Sequence, residues 1–235
     1  MNLLLDIGNT HTHAGLTHGK RITPHDNFPT ASWQSPRAAK WLGRFLGKQT
    51  VVSATLCSVV PTATRAARKV LHGMGIKTQV ITYRNCGLEI DYPKPATIGP
   101  DRLANARAGF EHFGAPVVIV DFGTAVTFDI VDVKGRYAGG IIAPGLSAMT
   151  DYLHEKTALL PRVEIRDIRS VIGKTTEHAM RIGAVHGYRG LITGLIKELQ
   201  HELSTRKLPV VATGGTARLI ARQCPEITAV RPLLT

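Results

Sequence analysis

Asp6, Asp121 and the small residues that follow them are the positions of this chain best suited to chemistry. In Asp6-Ile7-Gly8-Asn9-Thr10 and in Asp121-Phe122-Gly123-Thr124, an apolar run ends on an aspartate and passes at once into a small-residue turn. A third turn, Thr213-Gly214-Gly215-Thr216, follows the apolar run 208–212. Glycine lets backbone N–H groups approach an anion closely and threonine adds hydroxyl donors, so such turns at strand ends suit phosphate. An adjacent carboxylate is the kind of ligand that Mg²⁺ takes beside a nucleotide. Phosphoryl transfer also needs a group to accept the proton of the attacking hydroxyl. Asp101 is the candidate, because it follows the proline-stiffened stretch 92–100 and opens a helix expected over 101–113. The competing reading makes Asp101 a helix cap, a common role for aspartate.

These residues must be held by strands and helices, and the pattern predicts both in alternation. Strands are expected at 2–6 and 12–17, followed by a polar loop, a helix over 35–46 and a strand at 49–53. The segment 56–61 closes a strand and turns into a helix over 62–74, stopped by Gly75, with a further strand at 78–82. Three prolines exclude regular structure from 92–100. Strands at 117–121 and 125–132 lead through the turn-rich 139–145 into helices over 146–160 and 175–202. This alternation is the α/β signature. Asp6 aligns with Asp121, and the basic turns Gly19-Lys20-Arg21 and Lys134-Gly135-Arg136 close the two copies. The chain therefore reads as a duplication. Residues 1–114 form a first half with a phosphate turn and the catalytic loop. Residues 115–235 form a second with its own phosphate turn and a long helix.

Composition removes several function classes. At 43% hydrophobic and 20% charged, the chain is ordinary for a globular protein, and no apolar run is long enough to span a bilayer. The N-terminus lacks the basic segment of a signal peptide, so a cytoplasmic location is expected, with no membrane partner. Cys57, Cys86 and Cys224 are odd in number and widely spaced, which argues against a disulfide framework or a zinc knuckle. The net charge of +12 fits anionic substrates or a basic surface. No basic run interleaves with aromatics, so no specific nucleic-acid partner is expected. His11 and His13 share one face of a strand without a third ligand in register. Ile172-Gly173-Lys174-Thr175 is no P-loop, since Ile168 stands where the first glycine is required.

Five motifs taken together resemble a known family. Asp6-Ile7-Gly8-Asn9-Thr10, Gly99-Pro100-Asp101-Arg102-Leu103-Ala104-Asn105, Asp121-Phe122-Gly123-Thr124, Gly139-Gly140-Ile141-Ile142-Ala143-Pro144-Gly145 and Thr213-Gly214-Gly215 stand in the order and spacing of type III pantothenate kinases. The resemblance implies two related ribonuclease H-like halves of the acetate and sugar kinase/Hsp70/actin type, with ATP in the cleft between them. It implies phosphorylation of pantothenate by ATP at the head of coenzyme A synthesis. Asp101 would be catalytic, and Asp6 would hold Mg²⁺. Asp6, Ile7, Gly8, Asn9, Thr10, His11, Thr12 and His13 would cradle ATP together with Thr124, and Asp121 would bind a monovalent cation such as K⁺ or NH₄⁺. Tyr92, Gly99, Pro100, Asp101, Arg102 and Thr176 would form the vitamin pocket, shared across a homodimer through the helix 175–202. A kinase for another small hydroxyl compound, and a basic non-catalytic regulatory protein on the same fold, stand as alternatives.

Overall fold

Leu3, Leu5 and Ile7 alternate with Asn2, Leu4 and Asp6, and this period of two sets the first strand, β1 (Asn2–Ile7), with the odd positions buried. The structure, a computed structural model, describes residues 1–19, 21–205 and 207–235. Lys20, in the first basic turn, lies outside the described residues. After β1 come β2 (His11–His18), β3 (Arg21–Pro29), a 3-10 turn Thr30–Gln34, α1 (Arg37–Leu46), β4 (Ser53–Ser58), α2 (Pro61–Gly73) and β5 (Lys77–Val80). The chain continues through β6 (Glu89–Ile90), a 3-10 turn Pro95–Thr97 and α3 (Pro100–Phe113) to β7 (Val117–Phe122), β8 (Ala125–Val131) and β9 (Arg136–Pro144). It ends with α4 (Leu146–Lys156), α5 (Thr176–Glu202), β10 (Val210–Thr213), α6 (Ala217–Ala221) and β11 (Ala229–Val230).

Two compact units result. One comprises 1–87 and 94–104, the other 88–93 and 105–235. The first holds a five-stranded sheet in the order β3-β2-β1-β4-β5, the second a six-stranded sheet in the order β11-β10-β7-β8-β9-β6. The wiring is the same in both. β1 runs antiparallel to β2 and parallel to β4, as β7 runs antiparallel to β8 and parallel to β10. Each sheet thus contains a strand with an aspartate next to its last residue, followed by a small-residue turn.

Each unit buries its own core. In the first, Leu3, Leu5 and Ile7 meet Leu42 and Leu46 of α1 and Ala67 and Leu71 of α2. In the second, Val118, Val120 and Phe122 meet Tyr188, Ile192 and Ile196 of α5. Each fully buried leucine or isoleucine adds about 1.5–3 kcal/mol over leaving it exposed.

Five local expectations need correction. The polar loop after residue 17 is the strand β3, whose Phe28 is its one buried residue. An edge strand is held by its backbone ladder, here the register His13↔Asn27 and Thr17↔Ile22, and so needs little apolar content. The strand expected at 49–53 starts only at Ser53, where pairing to Asn2 and Lys77 begins. The turn-rich 139–145 is largely strand β9: Gly140 faces Asp129 in register, so the glycine pair imitated a turn signal. The helix expected over 146–160 ends at Lys156, and the proline-rich 92–100 contains the 3-10 turn Pro95–Thr97.

Candidate active site

In the first unit the phosphate turn is pinned from behind. Gly8 N–H donates to His11 O at 3.0 Å, and Thr30 N–H to Thr10 O at 3.0 Å. The Thr30 hydroxyl donates to Gly8 O at 2.7 Å. Thr12 is fully buried, its hydroxyl 3.1 Å from that of Thr30 and accepting from Trp33 Nε1 at 2.9 Å. Ile7 is core. The side chains of Ile7 and Thr12 therefore serve packing, while Asn9 and Thr10 stand exposed at the turn and Asp6 is half-buried at the strand end. Thr30 and Trp33 were not singled out from sequence; only their long-range bonds mark them. His11 and His13 are both exposed, and His13 Nδ1 lies 2.6 Å from Asn27 Oδ1. Among the described residues, no group of three or more His, Cys, Asp or Glu could hold a metal ion.

Asp101 stands in the first turn of α3. The first helical bond runs from Leu103 N–H to Gly99 O at 3.2 Å, so the cap position is Gly99 and Asp101 lies inside the helix. This corrects the capping alternative. Asp101 Oδ1 accepts from Arg102 N–H at 2.8 Å, and a Cβ at residue 99 would sit 2.4 Å from that same oxygen. The glycine of the motif thus leaves the space the carboxylate occupies.

In the second unit Asp121 is framed by three neighbours. Asn105 Nδ2 donates to Asp121 Oδ2 at 2.9 Å, and Thr235 Oγ1 donates to Asn105 Oδ1 at 2.6 Å. Gly214, with φ +88°, presses against the aspartate so closely that a Cβ there would lie 2.6 Å from Asp121 Oδ1 and 2.7 Å from Phe122 O. β10 carries the third turn to this place, with Thr213 opposite Asp121 in register. Thr124 is exposed, and its carbonyl accepts from Gly145 N–H at 3.1 Å, where α4 begins. The Asn105 role carried no signal beyond membership of a motif.

Tyr92 is 39% exposed, its ring edge-on to buried Tyr137 at 6.4 Å between centroids. The strand before it is anchored by Arg136, which reaches Asp91 at 2.8 Å and Asp132 at 2.7 Å. Burial alone would raise the carboxyl of Asp132. The N–H groups of Arg136 and Lys134 and the Arg136 guanidinium outweigh it and hold the group below the usual range. A depressed carboxyl stabilises the fold above its unfolded value, and that stability is lost as pH falls through the folded one. Asp132→Asn is therefore expected to cost about 1.5–3 kcal/mol at pH 7, the range of hydrogen bonds to charged groups. Urea unfolding of both proteins should show this gap closing as pH drops through the carboxylate range. A gap that does not shrink as pH falls below the ordinary carboxylate range would refute the ion pair as its source.

Thr176 opens α5 behind its cap Thr175, whose side chain accepts from His178 N–H at 3.2 Å. It lines an apolar groove of about 760 Å³ with Met149, Tyr152 and Leu153 of α4 and Met180 and Gly183 of α5. Tyr92 does not line this groove. The irregular stretch before α5 is tied down by buried Arg189, which donates to Asp167 Oδ1 at 2.8 Å, Gln223 Oε1 at 2.8 Å and Leu219 O at 3.0 Å. The guanidinium holds the Asp167 carboxyl below its ordinary value.

The family profile for type III pantothenate kinase matches residues 2–198. A type III pantothenate kinase of Methylacidiphilum infernorum is 44% identical over 99% of this chain and 84% of its own length. The chain belongs to the type III pantothenate kinase family. Among solved structures, a conserved putative Baf family transcriptional activator from Campylobacter jejuni superposes with a TM-score of 0.61 at 18% identity, over 99% of this chain and 92% of that one. A putative N-acetylglucosamine kinase from Porphyromonas gingivalis gives 0.53 at 10% identity, over 100% and 95%. At such identities the likeness concerns fold, and the fold is the two-sheet α/β type of the acetate and sugar kinase/Hsp70/actin group. Among the described residues, no helix is long and apolar enough to cross a membrane.

Proposed function

We propose that this chain transfers the terminal phosphate of ATP to the primary hydroxyl of pantothenate, in the cytoplasm, as the first step toward coenzyme A. Family membership over nearly the whole chain carries this reading. Asp101 accepts the hydroxyl proton as the oxygen attacks phosphorus, and Arg102 orients the vitamin or the transferred phosphate through its fork of donors. In the first unit the turn Gly8-Asn9-Thr10 is proposed to hold ATP phosphates, and in the second unit Thr124 is proposed as an ATP contact. Asp6 suits Mg²⁺, an ion commonly bound through one or two carboxylates together with substrate phosphates and water. When bound, the ion offsets the charge of the phosphates. A coupled assay of ATP consumption with pantothenate and a panel of related alcohols tests the reading. Preference for another alcohol would favour the sister-kinase alternative, and no turnover with any of them the regulatory one.

Asp121 is proposed as the ligand of a monovalent cation, a hard oxygen donor at a strand end with Gly214 packed against it. Activity should rise with K⁺ or NH₄⁺ over Na⁺, and Asp121→Ala should abolish that rise while the divalent requirement stays. A wild-type enzyme indifferent to monovalent ions would remove the assignment. The pocket for pantothenate is proposed to be completed by a second copy of the chain, docked along the apolar groove between α4 and α5. Leu159 at 90% exposure, Val171 and Ile172 are exposed apolar residues of the segment that joins these helices, and Thr176 lines the groove.

A further inference from the structure

The charge of this protein is distributed unevenly. The first unit carries 13 Lys and Arg against Asp6, Asp26 and Asp101, whereas the second carries 16 against 14 acidic residues. Ten of the twelve excess positive charges thus belong to the first unit. No acidic residue occurs between Asp26 and Glu89. In the second unit several arginines pair with carboxylates: Arg107 with Glu111, Arg136 with Asp132 and Asp91, Arg189 with Asp167.

On α2 the opposite holds. Arg65, Arg68, Lys69 and His72 stand at i, i+3, i+4 and i+7, which puts them on one helix face. They are all exposed. Together with Thr78 of β5 they line a surface cavity of about 310 Å³ that has no carboxylate in its wall. None of the four side chains is in a hydrogen bond or ion pair with a protein group among the described residues. Like charges at these spacings repel by a few tenths of a kcal/mol per pair, and among the described residues no carboxylate pairs with them.

Position sets this cavity apart from the phosphate turn of the same unit. Asp6 and the turn lie at the carboxyl end of β1. Thr78 pairs with Ala54, which pairs with Leu3, near the amino ends of the parallel strands. Leu3 and Asp6 are three residues apart, roughly 10 Å along a strand.

We propose that this cavity is a binding site for an oligophosphate chain. Arg65 to His72 covers about 10 Å of helix axis, seven residues at 1.5 Å each. An orthophosphate is short beside a row of that length, whereas linked phosphates can run along it. Arginine forks and a lysine ammonium are the side chains that hold phosphate oxygens, and the Thr78 hydroxyl adds a donor. The cavity is concave and lacks an aromatic stacking platform, which favours a short phosphate chain over a single-stranded nucleic acid.

The test is calorimetric titration of the full chain with inorganic tripolyphosphate in low salt. It compares wild type with Arg65→Gln/Arg68→Gln and with the equally charged control Arg37→Gln/Arg44→Gln on α1. Wild type should bind tripolyphosphate at least ten-fold more tightly than orthophosphate. The Arg65/Arg68 pair should lose at least ten-fold, and the α1 control less than three-fold. Lys69→Gln/His72→Gln should repeat the loss should the first pair fail to fold. Equal losses in both double variants would mean diffuse attraction by a basic unit and overturn the site, as would tripolyphosphate binding that ignores α2. A DNA duplex that binds more tightly than tripolyphosphate, with equal dependence on α1 and α2, would replace the small ligand by a nucleic-acid surface. Kinase activity is not the readout, so failure here leaves the catalytic reading standing.

Discussion

Asp101→Asn is expected to lower turnover by at least the ~10²-fold typical of lost acid–base help, with ATP binding nearly unchanged. Asparagine keeps an oxygen that can accept from Arg102 N–H, the bond that Asp101 Oδ1 makes at 2.8 Å. It cannot take a proton from an attacking hydroxyl. The structural cost is small, because the cap position is Gly99 and the substitution forfeits only the interaction of a negative charge with the helix end, about 0.3–1 kcal/mol. A folded Asp101→Asn protein with near-normal turnover would show that the carboxylate serves the helix alone. The Gly99 geometry supplies an independent check. A Cβ placed 2.4 Å from the Asp101 carboxylate oxygen must displace it, so Gly99→Ala should lower turnover while leaving Asp101 in the sequence.

What could be read from the sequence follows the range of the forces involved. The two aspartate-and-turn motifs are local, since an apolar alternation and a few small residues fix a strand and its end without help from elsewhere. They gave the paired strands β1–β2 and β7–β8 close to their true bounds. The long helix was equally legible, because Thr175 caps it and no proline interrupts the 27 residues that follow. β3 was not legible: its residues are mostly exposed and polar, and it is a strand only because β2 offers a backbone to pair with. Glycine misled in β9, where Gly139 and Gly140 pair with Ile130 and Asp129 and the positive φ of Gly139 (+116°) accompanies a register shift in the ladder, not a turn. The supports of the site were hidden for the same reason. Trp33 Nε1 reaching Thr12 and Asn105 reaching Asp121 join residues 21 and 16 apart, and no local pattern announces such pairs. The excess charge was visible as a number, but its concentration in one unit needed the division of the chain.

Asp101→Asn and Thr176→Trp, each inactive as a pure protein, are expected to restore activity to one another when co-expressed. Asp101 belongs to the first unit, and Thr176 lines an apolar groove of the second with exposed apolar residues in the segment before it. A groove of that character loses free energy by staying wet, at about 25 cal/mol for each Å² of apolar surface. A second copy can cover it through a two-fold contact that uses each α5 in the same way. A two-fold pair holds two equivalent pockets, each taking Asp101 from one chain and Thr176 from the other. In a mixed dimer one pocket then receives both damaged residues and its counterpart receives neither, so half-site activity returns. The tryptophan blocks the groove by bulk while leaving the helix cap at Thr175 in place. Light scattering of the wild type should show a dimer, and mixed dimers purified with two affinity tags should turn over pantothenate well above either parent. Mixed dimers no more active than the parents would refute the shared pocket, and a monomeric wild type would refute it before any assay is run.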